Sequence, residues 1–237
     1  MLLQFAEKTV VGIVFSILVI ALAFFFGNPF FFDPVLLVAF VAIALFFRRN
    51  KDLVVICAIF VTERGLEEMA YRTLQNEFWF KLPTYLIFCL VVWLFSRSGD
   101  WLRWFAIGFL SFALVTELFW YATNYNAPMI VWTCTLFTLT VAVRWSLRRR
   151  TFWMIHLFKK SGQSLLLDRQ LIIATMSYLT LHIVMVLEFY VRHLLGFSNV
   201  TTIYYSYQYI ASVINVFILY NIVIESIRHL NSLEMPA

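Results

Sequence analysis

Apolar runs about as long as a bilayer is thick recur along this 237-residue chain, and they constrain its fold more than any other feature. A hydrocarbon core takes roughly 20 helical residues to cross. Inside it every backbone N–H and C=O must be paired within the segment, so runs of this kind must be helical. Composition agrees: 62% of residues are hydrophobic and only 13% charged, against about a quarter charged in soluble domains. With a mean hydropathy of +0.84, such a chain lacks the polar residues to coat a water-facing globule. The sequence predicts an all-α integral membrane protein, one polytopic bundle with no soluble domain.

Eight spans are expected, approximately 9–27, 35–47, 53–72, 82–96, 102–122, 128–145, 170–191 and 202–227. The second and fourth are short and free to extend into their flanks. "VVGIVFSILVIALA" reads as an uncleaved first span, because its basic flank is weak (Lys8 beside Glu7) and "FFF" follows. No internal repeat is evident. The one long link is 146–169, rich in bases.

The third span is the test of this topology, since "LVVICAIFV" runs straight into "TERGLEEMAYR" (Thr62 to Arg72). With eight spans and both termini cytoplasmic, fourteen of the 18 Lys and Arg fall on the inner side, leaving Arg64, Arg72, Lys81 and Arg192 outside. That is the asymmetry the positive-inside rule demands. If the third segment does not cross, the 18 bases divide only eight to ten. The charged stretch is therefore expected to be the outer half of a membrane-crossing helix.

At about 1.5 Å per residue, Glu63 lies roughly 15 Å from Leu53, near the midplane. A charge there costs on the order of 2.5–3.5 kcal/mol and must face the bundle interior or a wet cavity. Arg64, Glu67, Glu68, Tyr71 and Gln75 share one helix face. Arg64–Glu68 and Glu68–Arg72 are i,i+4 pairs. Other spans offer partners: Glu117 in the fifth, then His182, Glu188 and Arg192 in the seventh. "TTIYYSYQYI" opens the eighth. Glu63, Glu67, Glu68, Glu117 and Glu188 oppose Arg64, Arg72 and Arg192, an excess of two carboxylates. An uncompensated buried carboxylate takes up a proton or a cation. The leading expectation is thus an outer-facing polar chamber that binds or transports a small polar or cationic ligand, or protons. Glu67 and Glu68 are its primary acids, and His182 is a proton acceptor. The alternative of structural ion pairs between helices stands beside it, as does a non-catalytic subunit or sensor whose charged helix packs on another membrane protein.

"EEMAYR" (Glu67, Glu68, Arg72) resembles the EExxxR motif of the CAAX-type intramembrane proteases. That resemblance implies a metal-dependent hydrolytic site in the membrane, with the paired glutamates serving a metal-polarised water. Of the family's other motifs, FxxxH occurs only as "FWMIH" (Phe152, His156), in the link assigned to the opposite side. HxxxN or HxxxD is absent, His182 being followed by "IVMV".

"RWSLRRRTFWMIHLFKKSGQ" interleaves bases with large apolar residues. It suits a helix lying in the interface, with Phe152, Trp153, Ile155 and Phe158 in lipid and the bases at anionic headgroups. A docking site for a membrane or cytoplasmic protein at 146–169 is the functional alternative. The net charge of +5 then reflects topology, and no nucleic-acid partner is expected, since no reader motif accompanies it. Cys57, Cys89 and Cys134 lie in apolar spans and read as small hydrophobes. No GxxxxGK[ST] phosphate loop occurs, no metal set is assigned, and the expected location is a bacterial inner (plasma) membrane. "NVT" at Asn199 is a glycosylation sequon, meaningful only in a eukaryotic secretory route.

Overall fold

The computed structural model describes residues 12–13, 16–74, 78–96, 101–125, 130–159 and 166–232. Every regular element among them is an α-helix. After a first helical segment, α1 (16–24), come α2 (Pro29–Phe46), α3 (Lys51–Thr73), α4 (Phe78–Phe95), α5 (Trp101–Ala122) and α6 (Ile130–Arg148). A short α7 (Arg150–Phe158) precedes α8 (Leu166–His193) and α9 (Thr202–Ser232). Four helices, α5, α6, α8 and α9, are long and apolar enough to cross a membrane. The apolar stretches of α2 and α4 are shorter, Phe30–Phe46 and Trp79–Phe95. Residues 9–11 and 14–15 of the expected first span, and Gln75, lie outside the described residues.

α3 runs unbroken from Lys51 through the whole of "TERGLEEMAYR" to Thr73. Asn50 starts it, its side-chain oxygen accepting from the amides of Asp52 at 3.1 Å and Leu53 at 3.3 Å. These are donors that a helix start leaves unpaired. The buried residues of α3, Leu53, Val55, Ile56, Cys57 and Phe60, all belong to its first half.

The chain forms two compact units. The first comprises residues 1–64, 149–171 and 208–237. Its core joins Leu36, Phe40 and Ile43 of α2 to Leu53, Ile56 and Phe60 of α3, with Phe40 and Phe60 stacked at 5.3 Å. Gly27 turns the chain between α1 and α2 at φ +77, and a Cβ there would meet Tyr209 Cε1 at 2.5 Å. Only glycine supplies both the left-handed backbone and the clearance.

This unit also contains an ion cluster that spacing did not reveal. Arg150, 1% exposed, donates from Nε and Nη2 to the two oxygens of Asp168 at 2.8 and 2.9 Å, and its Nη1 forms an ion pair with Asp52. The starts of α3, α7 and α8 are tied at one guanidinium. Arg150 was expected among the bases meeting headgroups; instead it is sequestered, because two carboxylates offset its desolvation where lipid does not. α7 forms as the interfacial reading requires. Phe152 and Ile155 are exposed, but Trp153 and Phe158 are half-buried against protein.

The second unit comprises residues 65–148 and 172–207. α6 is its central helix: two-thirds (67%) of its apolar window is buried, against 33% for α5. Four buried threonines line α6, at 133, 135, 138 and 140. Thr135, Thr138 and Thr140 return their hydroxyls to carbonyls four residues back at 2.8–2.9 Å. Back-bonding of this kind satisfies a hydroxyl where no water reaches. Around α6 pack Tyr85, Phe88 and Val92 of α4, Leu102, Leu110 and Trp120 of α5, and Leu179, Val186 and Tyr190 of α8.

Candidate functional site

Inside that apolar core lies a charged centre. Lys81 and Tyr85 sit one turn apart on α4 and so share a face; both are buried. Glu117 comes from α5. Lys81 Nζ donates to Glu117 Oε2 at 2.6 Å, with Lys81 only 6% and Glu117 3% exposed. Tyr85 Oη donates to Cys134 Sγ of α6 at 3.8 Å. Buried Tyr190 of α8 is within electrostatic reach of both Glu117 and Cys134.

One half of the Glu117 carboxylate is unsatisfied. Oε1 is buried and makes no hydrogen bond among the described residues, and neither do Tyr190 Oη or Trp120 Nε1. The Val131 amide, in the first turn of α6, also reaches the Glu117 carboxylate. Native interiors rarely leave such groups orphaned, and each costs roughly 1–3 kcal/mol. Chemically, the centre holds an ammonium–carboxylate pair and one open acceptor oxygen, with the Tyr190 phenol in reach of Thr116. It suits a proton or a water. A free cation fits less well, since the Lys81 ammonium already occupies the place beside the carboxylate.

The other anticipated residues have these surroundings. In the first unit, Arg64 Nη2 donates to Asn215 Oδ1 at 3.0 Å and Arg64 Nη1 lies 3.7 Å from Asp33; Glu63 is half-buried. In the second unit, Glu67 is half-buried. Arg72 Nε donates to Glu68 Oε1 at 2.8 Å, the pairing that their spacing predicts, but these side chains are 74% and 60% exposed.

His182 is buried, with Nε2 3.0 Å from Tyr207 Oη and its ring stacked 5.8 Å from that of Tyr178. Buried Glu188 accepts from the amides of Ile203 at 2.6 Å and Tyr204 at 2.9 Å, so it caps α9 from α8. A carboxylate at a helix N-terminus meets both orphan donors and the positive dipole end. The Arg192 guanidinium stands 5.6 Å over the Tyr204 ring. Among the described residues no group of three His, Cys, Asp or Glu is placed to hold a metal. His156, of "FWMIH", donates from Nδ1 to Phe152 O at 3.0 Å.

Sequence reasoning identified Glu117 and missed Lys81, Tyr85 and Tyr190. A signal was present: a lone base in "FWFKLPTYL", four residues ahead of a tyrosine. With Lys81 set against Glu117, the opposing bases rise from three to four, and the acid excess falls from two to one. No protein-family model, curated protein or solved structure matches this chain.

Proposed function

We propose that this is an eight-span membrane protein with both termini cytoplasmic. In it a small polar species or protons bind, or pass, at the buried Lys81–Glu117 centre. A bacterial plasma membrane is the setting that fits the distribution of bases. The observation that carries the reading is the second oxygen of Glu117, enclosed in an apolar helical core with no hydrogen-bond partner among the described residues. A pair kept only to hold helices together gains nothing from an open oxygen there, whereas a relay or binding site needs one. The test is proton uptake into proteoliposomes under an imposed potential, read by an entrapped pH dye. The native protein should exceed empty vesicles, and Glu117→Gln should lose about tenfold or more while staying monodisperse. Native flux no greater than that of empty vesicles, together with no change on adding small zwitterionic solutes, would overturn the reading.

One observation favours a second reading, that of a non-catalytic subunit. Past Phe60, α3 buries no residue, and Leu66, Met69 and Tyr71 are exposed beside the Glu68–Arg72 pair. Such a face in a membrane suits a partner helix. It predicts that mild-detergent extraction from native membranes recovers the chain in a complex, and that Leu66→Glu releases it.

A further inference from the structure

We infer that His193, held by Tyr125, is the residue through which protons pass between solvent and Glu117; the inference rests on Glu117 being the acid of the site, as proposed above. α5 ends at Ala122 and α8 at His193. Asn124, in the left-handed region at φ 51, turns the chain just past α5, a conformation that Asn tolerates better than most residues. The Tyr125 amide then donates back to Trp120 O at 2.9 Å. This turn sets the Tyr125 ring 6.1 Å from that of Trp120 and 6.0 Å from that of His193. Its hydroxyl meets His193 Nδ1 at 2.8 Å.

The two nitrogens of the His193 ring have unlike surroundings. Nδ1 meets the phenol of a residue that is 45% exposed. Nε2 is buried and makes no hydrogen bond among the described residues. A pair kept only to tie the chain after α5 to α8 needs Nδ1 and gains nothing from an orphaned Nε2. Phe189 packs on the ring at 4.7 Å and Trp120 lies edge-on at 6.3 Å. Trp120 stands one turn from Glu117 on α5, and Tyr190 one turn before His193 on α8. Tyr190 is in turn within electrostatic reach of Glu117. Along α5, Glu117 is only about 7.5 Å from the helix end at Ala122. The charge next in sequence, Arg192, stands over the Tyr204 ring, and no carboxylate pairs with His193 among the described residues to fix it as imidazolium. An imidazole so placed gains and loses a proton near neutral pH. With the phenol donating to Nδ1, the ring proton sits on Nε2. Solvent gives a proton to Tyr125 Oη as Tyr125 passes its own to Nδ1. The imidazolium releases the Nε2 proton toward Glu117, and ring rotation restores the starting tautomer. One proton enters and one leaves, with no other reactant.

The test uses the full chain in proteoliposomes under an imposed potential, at matched amounts of folded protein, with an entrapped pH dye. His193→Ala should lose about fivefold or more of the native proton uptake. Imidazole in the medium should restore most of that loss, and the same imidazole should leave Glu117→Gln and empty vesicles unchanged. His193→Gln keeps a hydrogen-bonding side chain beside Tyr125 but cannot relay a proton, so it should lose as much as His193→Ala. If Glu117→Gln abolishes uptake while either His193 variant keeps the native rate, the Glu117 site stands and this inference falls. A loss that imidazole does not restore makes His193 a structural tie for Tyr125 and also overturns it. Native uptake equal to that of empty vesicles removes this inference together with the reading it rests on.

Discussion

At the residue scale, the Lys81–Glu117 pair decides how much of the interior charge is structural. Removing one member strands the other in a low-dielectric core, which costs about 3–5 kcal/mol for a buried pair. Lys81→Met alone should therefore lower thermal stability sharply, as read by static light scattering on heating. The double variant Lys81→Met, Glu117→Leu should recover most of the loss, because two apolar groups pack without desolvation. If the single and double variants lose stability equally, the pair does not behave as a coupled unit. Glu117 stood out in the sequence because a carboxylate within "VTELFWY" has no bland place in a span. Its partner lies 36 residues away, and no periodicity within one helix encodes a contact between two. Lys81, placed by the count of bases among the four outside, stands beside a leucine and a proline in "KLP", which also reads as a span boundary.

At the scale of elements, α3 and α7 were legible for opposite reasons. In α3 the i,i+4 alternation of acids and bases keeps helical hydrogen bonding going where hydropathy falls, and Arg72 does meet Glu68. Because that pair is mostly exposed, it contributes little: Glu68→Gln should change stability by less than about 0.5 kcal/mol. A larger loss on thermal denaturation would show that the face is covered in the folded protein, as the subunit reading requires. In α7 the mixture of bases and large apolar residues pointed to a helix, yet hid that Arg150 differs from its neighbours. The distinction comes from Asp52 and Asp168, which folding brings in from 98 residues before and 18 after. Asp168→Asn should cost about 1.5–3 kcal/mol, since it replaces a charge-assisted bidentate contact to a buried guanidinium. The thermal unfolding midpoint should fall accordingly, and an unchanged midpoint would count against the clamp.

At the scale of the whole molecule, helix content and membrane character followed from composition and run length alone. Four helices meet the length and hydropathy of a span outright. α3 falls outside that set only because of its charges. Its reading as a span is an expectation from the bases, fourteen of 18 of which would then share one side. Reporter fusions test this topology: both termini should report cytoplasmic, and a signal from the opposite side at either would remove the eight-span arrangement. The charged chamber expected along one face of α3 is the part least determined by sequence. Spacing defines a face but not what that face meets. In the structure Glu188 is engaged in capping α9 and Glu117 in pairing with α4, while the Glu68–Arg72 pair is largely exposed.

The central claim is that Glu117 is an acid with a purpose beyond holding Lys81. It is tested most directly by potential-driven proton uptake in proteoliposomes, comparing the native chain with Glu117→Gln at matched amounts of folded protein. Uptake well above empty vesicles, lost about tenfold in the variant at matched amounts of folded protein, is the predicted result. Uptake that is equal in the two proteins would contradict the account and leave Glu117 a structural partner of Lys81.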